Sequence, residues 1–487
     1  MNNRLKKKYG LLTAICMVVG IVIGSGVFIK GTDVLSDTNG SINLGVFAWI
    51  IGGVIMMICA YNFATFATKY EKVNGVVDYA EAIVGPKYAY IMGWFVSYIY
   101  FPAMTGVLAW VSARFTLAIF APDTPQSSTS GLCIALGAFY LCAVFAMNVL
   151  APKLSGKFQI SATVIKLIPV IIMAVVGTIV GIINRSSGNL SVDSIKPIVE
   201  EPSFTGVFGA LVTCAFAYEG WIVATSINTE LRDAKKNLPI ALILGCGIVM
   251  VIYIAYFIGL TSSTPVNDIL QFGARDAFKN LFNGNVVVST IFNVFIAISC
   301  LGTLNGLVIA CTRSTYSLAV RNQGPKPEVF KEVSPSTNMP NNSSILAILM
   351  CGMWFFYFAA GNLVDKGVYG VDGIFGLFNF DSSELPIITV YALYIPIFVM
   401  FIIKEGKKNI FKNIVMPILG VIASLFMIFA AAYSHGYEPY IEGLEDNVFK
   451  IPALFYLIVF VVIMGIGLVF YKKNNNDIEL GEDNEEN

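Results

Sequence analysis

A single histidine, His435, is all that 487 residues contain. The nine cysteines (Cys16, Cys59, Cys133, Cys142, Cys214, Cys246, Cys300, Cys311 and Cys351) fall in apolar segments with no C-x-x-C spacing. Neither a zinc site nor a disulfide framework is expected, and no cofactor or metal is called for. Charge is scarce too, at 13% of residues against 56% hydrophobic ones. That composition excludes an ordinary soluble globular domain. There is no paired catalytic aspartate motif and no metal-ligand spacing, so an enzyme is not indicated. The formal net charge is zero, and no nucleic-acid partner is inferred from it.

What the chain has in abundance is long apolar runs. A helix needs about 20 apolar residues to cross a hydrocarbon core of roughly 30 Å. Twelve runs qualify, near 9–30, 43–67, 88–119, 131–150, 158–183, 205–228, 239–260, 285–319, 343–360, 376–403, 413–433 and 451–471. The expected fold is therefore an all-α integral membrane protein of twelve transmembrane helices with the lipid bilayer as its solvent. The N-terminal run is too long for a secretory signal, and no A-x-A site follows it, so it is expected to stay as the first helix. With these segments the odd loops hold only Lys30, Arg185, Lys196, Arg275, Lys279, Lys366 and Lys450, while both tails and the even loops hold three times as many Lys and Arg. That bias places both termini in the cytoplasm, the protein being expected in the cytoplasmic membrane.

Two of the runs are broken at their centres by glycine, at Gly24-Ser25-Gly26 and at Ala217-Tyr218-Glu219-Gly220-Trp221. Unpaired amides are costly in a bilayer core, and such breaks persist where they line an enclosed cavity. They recur at matching positions, the first and sixth segments, as in an inverted-repeat transporter. The expected organisation is a cytoplasmic tail 1–8, a five-helix repeat 9–183, a second inverted repeat 205–403, two accessory helices within 413–471 and an acidic cytoplasmic tail 472–487.

The first break exposes the amides of Ser25 and Gly26 at the start of a half-helix, where the helix dipole suits a carboxylate. Glu219 is a functional candidate because a charge at that depth is expensive. It either titrates, meets a substrate ammonium, or bonds amides of the broken backbone. Phe216 and Trp221 are candidates for closing over a substrate. Lys166, well inside the fifth segment, is either a fixed cation or a lysine reaching the headgroups along its stem. Asp381 and Glu384 have the spacing of a capping box at the start of the tenth helix; a helix starting near Ile374 would instead face both into the pathway. His435 falls in the expected eleventh loop and reads as incidental rather than as a proton relay.

The stretches Ile23-Gly24-Ser25-Gly26-Val27-Phe28 and Phe216-Ala217-Tyr218-Glu219-Gly220-Trp221 carry a further signal. With Thr229-Glu230, Asn237-Leu238-Pro239, Gly302-Thr303-Leu304-Asn305-Gly306, Arg313, Tyr316 and Gly324-Pro325, they make the chain resemble the amino acid, polyamine and organocation transporter superfamily, and within it the L-type amino acid exchangers, including serine/threonine exchanger-like permeases. The resemblance implies two inverted five-helix repeats plus two helices, moving an L-amino acid of the neutral class by alternating access. It implies that the substrate carboxylate meets the amides of Ser25 and Gly26, that the ammonium meets carbonyls near Ile23 and Phe216, and that Phe216 gates. Gly24, Ala217, Tyr218, Glu219 and Gly220 complete the implied site. Lys166 stands where sodium-coupled relatives bind their ion, which leaves protons as the candidate coupling ion. Two departures stand out: Glu71-Lys72-Val73-Asn74-Gly75 replaces the usual loop after the second helix, and Asp381 with Glu384 is atypical of the tenth. No partner subunit is indicated. An amine antiporter of the same fold and a non-transporting amino acid sensor are the alternatives.

Overall fold

The first span shows how the chain builds its interior. The computed structural model describes residues 10–70, 75–120, 131–186, 204–222, 231–282, 284–364, 380–406, 409–445 and 451–472. The tail 1–8, Glu71–Asn74, Thr229-Glu230 and the acidic stretch Asp477–Asn487 lie outside them. Helix α1 (Leu11–Val22) ends because Ile23 swings to extended backbone, φ −67° and ψ 105°. Helix α2 (Gly26–Asp37) then sets off at 53° to it. The first span consequently ends at Asp37 rather than near residue 30. Lys30, counted above as a loop cation, is a buried residue of α2. The bend after Val22 consumes little axial rise, so a further 12-residue helix is needed to reach the far face.

The remaining elements are α3 (Ile42–Lys69), α4 (Val76–Ile83), α5 (Pro86–Phe120), α6 (Gly131–Leu150), α7 (Pro152–Ile183), α8 (Gly206–Ala217), α9 (Ala234–Ser263), α10 (Val266–Phe272), α11 (Ala274–Leu281), α12 (Val286–Val320), α13 (Pro327–Phe330), α14 (Asn341–Val364), α15 (Leu385–Glu405), α16 (Phe411–Glu445) and α17 (Pro452–Val469). Their starts follow local chemistry. The Ser41 hydroxyl accepts the Leu44 amide ahead of α3, and the Asn285 side chain accepts the amides of Val287 and Val288 ahead of α12. Pro86, Pro152 and Pro452 occupy first helical turns, where a missing amide costs nothing.

Among the described residues ten helices are long and apolar enough to cross a membrane, eleven with the bent α1–α2 pair counted as one span. The expected sixth span is represented by α8, whose 12 residues cannot cross alone. This is an all-helical, multi-pass membrane protein. The eleventh span differs from expectation, because α16 runs to Glu445 and carries His435 inside a helix, in a wide π turn over Tyr433–Tyr437. Tyr433 to Gly436 lack the proline that would stop a helix, so the apolar run extends past residue 433.

Polarity is distributed as lipid demands. Large apolar side chains on α7 and α17, such as Ile160, Val164, Val461 and Val469, are exposed, whereas Asn62, Ser112, Thr261 and Asn305 are buried. Some of the buried polar groups are partnered across helices, as Asn62 is with the Met416 carbonyl, while Ser112 and Thr261 bond back to carbonyls of their own helices. Asn305 of α12 accepts from Asn148 at 2.8 Å and Ser155 at 3.0 Å, and donates to Gln159 at 2.9 Å. Helix α3 packs along α9, α5 along α12, and α2 against α8.

Candidate functional site

Helices α1, α2 and α8 end or begin at one place. A Cβ on Gly26 would lie 2.9 Å from Ala217 Cα, so the two breaks are in main-chain contact and only glycine permits it. On the other side Gly220, at φ +107°, would bring a Cβ to 3.4 Å from the Ile21 carbonyl oxygen. That left-handed conformation favours glycine. Helix α8 stops as Tyr218 and Glu219 bond back to Cys214 and Phe216 carbonyls at 3.0 and 3.3 Å.

The orphaned ends of these helices are shared out selectively. Lys166 of α7 donates to the Gly20 carbonyl at 2.5 Å, and the Tyr253 hydroxyl of α9 donates to the Val22 carbonyl at 3.0 Å. Both hold the C-terminal end of α1. Lys166 is therefore a buried brace rather than a side chain reaching the headgroups. The amides of Ser25, Gly26 and Val27 take no acceptor among the described residues, and the buried Ser25 hydroxyl has only the thiol of Cys300 beside it. A cluster of unpaired donors at a helix N-terminus is an anion-binding arrangement.

The side chains of the second break separate in space. Tyr218 turns outward, its hydroxyl donating to the Trp49 carbonyl at 2.9 Å and its ring stacked on Tyr253 at 5.4 Å. Trp221 packs edge-on against Phe63 at 5.5 Å and lies 6.3 Å from Tyr394. Glu219 is near the Tyr100 hydroxyl, and its Oε1 is buried without a partner among the described residues. Phe216 lies on the other side, under the ammonium of Lys30, 5.1 Å from ring centroid to Nζ. Both line a cavity of about 230 Å³ with Asp33, Trp110, Phe380 and Asp381.

The tenth-helix carboxylates have divided roles. Asp381 Oδ1 accepts the amides of Ser383 and Glu384 at 2.6 and 2.9 Å, as a cap does. Glu384 does not return the bond that a capping box requires. It lies buried with Oε1 2.7 Å from Lys30 Nζ and Oε2 3.2 Å from His435 Nε2. Glu384 thus belongs to an ion cluster, and His435 is part of it, because a carboxylate buried this deeply needs countercharge and donors. Lys30 and Thr213, whose hydroxyl stands 3.0 Å from Glu384 Oε1, were not singled out from the sequence, and His435 read there as incidental. The spacing of Lys30, one helical turn beyond Gly26, is the signal that could have found it.

The model of the family described as Amino acid permease matches residues 9–464. The chain belongs to the amino acid permease family. This permease is 28% identical over 437 residues to the serine/threonine exchanger SteT of Bacillus subtilis (strain 168), covering 88% of this chain and 91% of the relative. It is 26% identical over 464 residues to the b(0,+)-type amino acid transporter 1 of Mus musculus, covering 94% of this chain and 88% of the relative. The cystine/glutamate transporter of Homo sapiens is 26% identical over 339 residues, 69% of this chain and 65% of the relative. The permease is accordingly an amino acid secondary transporter, and its relatives are transporters rather than enzymes.

Proposed function

We propose that the permease moves neutral L-amino acids across the cytoplasmic membrane by alternating access, as an exchanger. The contact of the two breaks at Gly26 and Ala217 carries this reading. It sets the unpaired amides of Ser25, Gly26 and Val27 beside the end of α8, where they receive the substrate carboxylate. The Ile23 carbonyl and the Phe216 carbonyl receive the ammonium, and the Phe216 ring gates the cavity above. Gly24 and Gly220 keep the backbones open, and Ala217 sets their spacing. Tyr218 holds the second break against α3, Trp221 closes the opposite side against Phe63 and Tyr394, and Lys166 braces the first break. Glu219 shapes the site from beside Tyr100.

The pairing of α2 with α8, α3 with α9 and α5 with α12 supports two repeats at 9–183 and 205–403, since these are the helices that a two-fold axis would bring onto their counterparts. Moving Lys30 out of the loop set strengthens the bias that puts both termini in the cytoplasm. The serine/threonine exchange for which the Bacillus subtilis relative is named favours serine and threonine as first substrates. No partner subunit is required in this reading.

The test is uptake of labelled L-serine into proteoliposomes, empty or preloaded with unlabelled L-serine, with neutral, cationic and acidic amino acids and putrescine as competitors. Exchange predicts uptake that needs preloading and that other small neutral amino acids compete for. Competition by putrescine alone would establish the amine antiporter, and absence of any uptake would remove the transport reading.

A further inference from the structure

A second group of charges is buried beyond Phe216, where α2, α8, α15 and α16 meet. Lys30 Nζ lies 2.7 Å from Glu384 Oε1 and 3.2 Å from Asp33 Oδ2. Thr213 Oγ1 lies within 3.0 Å of Glu384 Oε1 and 2.8 Å of Asp37 Oδ2, its one proton serving either. His435 Nε2 stands 3.2 Å from Glu384 Oε2, in a π turn of the kind that often marks functional positions in long helices. The charged groups facing His435 are Glu384 and Asp381 ahead of α15, Asp37 at the end of α2, and Glu438 one turn along α16. Lys30 and Asp33 lie behind Glu384; α8 contributes Thr213, and α17 contributes the phenol Tyr456, bonded to Thr389. Among the described residues Glu384 is in direct contact with the ammonium of Lys30 and the imidazole of His435, with Arg114 lining the neighbouring cavity; of these His435 is the group whose charge can change near neutral pH.

Lys30 is on the same 12-residue helix as the amides of Ser25 and Gly26, and it covers Phe216. Any swing of α2 that opens or closes the site draws Lys30 away from Glu384. That would leave a carboxylate uncompensated in a low-dielectric interior, which opposes the swing. A protonated imidazole already bonded to the other carboxylate oxygen removes the opposition, because Glu384 then keeps a counterion on α16. A neutral imidazole can hydrogen-bond but supplies no charge.

We propose that His435 is a proton-binding positioning residue of the transport cycle: protonated from the face that Lys30 lines, it takes over Glu384 and releases α2. This rests on the transport reading above, and on the orientation that puts that face outside. The ligand is the proton, entering from the cavity lined by Lys30, Asp33 and Asp381, which borders the cluster through the Lys30–Glu384 pair rather than reaching His435 itself. The His435 side chain is 17% exposed, open enough to be reached.

His435 being the only histidine, isotope-labelled histidine gives one imidazole spectrum in protein purified without a histidine tag. In lipid nanodiscs its signals should change across the pH range over which uptake is assayed, and Glu384→Gln should move the midpoint. In L-serine-loaded proteoliposomes at fixed internal pH, uptake of labelled L-serine should fall by about fivefold or more as external pH rises through that midpoint, and His435→Gln should flatten the profile. An imidazole that keeps one protonation state across the range overturns the proposal. So does a wild-type uptake profile that is flat, or a His435→Gln variant that keeps the wild-type profile. If His435→Gln does not fold, the wild-type titration and the Glu384→Gln shift still decide. Absence of L-serine uptake at every pH would count against the transport reading, and the imidazole titration would then judge the proton site separately.

Discussion

Gly26→Ala should cripple transport in a protein that still folds. The added Cβ would meet Ala217 Cα at 2.9 Å, a main-chain atom that no rotamer change can move aside. Carbon atoms in contact sit about 3.5–4.0 Å apart, so the two breaks must part by roughly 0.6–1.1 Å. Overpacking of this kind costs about 1–3 kcal/mol of stability, which a many-helix fold tolerates. The same displacement takes amides of Ser25 and Gly26 out of hydrogen-bond range of a carboxylate held against α8. A charge-assisted bond is worth about 1.5–3 kcal/mol, so losing one weakens substrate binding roughly tenfold to a hundredfold. Two other glycines calibrate the effect. Gly24→Ala would crowd the Thr303 hydroxyl at 3.2 Å, a side chain that can rotate away at the expense of its bond to the Ser299 carbonyl, with its other neighbours at 3.7 Å or more, and should cost less. Gly156→Ala meets nothing within 4 Å and should leave transport unchanged. The assay is concentration-dependent uptake of labelled L-serine into proteoliposomes, with monodispersity in detergent as the check on folding. Wild-type KM and turnover in Gly26→Ala would refute the placement of the site at this contact.

Lys166→Ala removes the donor to the Gly20 carbonyl and should lower turnover several-fold while KM stays within about twofold, because the brace holds the end of α1 and does not touch the amides of Ser25 and Gly26; a comparable loss of affinity would contradict it. Tyr253→Phe deletes one bond to the Val22 carbonyl and should cost about 1 kcal/mol of thermal stability, read as a lower melting temperature in detergent. Asn305→Ala removes the acceptor of one Asn148 N–H and the donor to Gln159 while Ser155 keeps Asn148 Oδ1, and should cost more, about 2–3 kcal/mol, with an unchanged melting point arguing against a structural role for the network.

The apolar runs and the glycines inside two of them were sufficient to read a helical membrane protein whose first segment bends after Val22 and whose sixth holds a helix ending at Ala217, because hydrocarbon length and backbone satisfaction are local demands that a run of residues either meets or does not. Gly24-Ser25-Gly26 and Phe216 to Trp221 were legible for that reason. The meeting of Gly26 with Ala217 was not, since contact between residues so far apart depends on how α2 and α8 pack. The charge cluster was hidden more deeply. Lys30 read as a loop cation, Glu384 as half of a capping box and His435 as a loop residue, each assignment being reasonable for a residue considered with its chain neighbours alone. Only packing brings α2, α15 and α16 together, and burial then forces their charges to answer one another. Sequence spacing determines which residues share a helix face; which faces share an interior, and so which carboxylate needs which cation, is decided by tertiary structure.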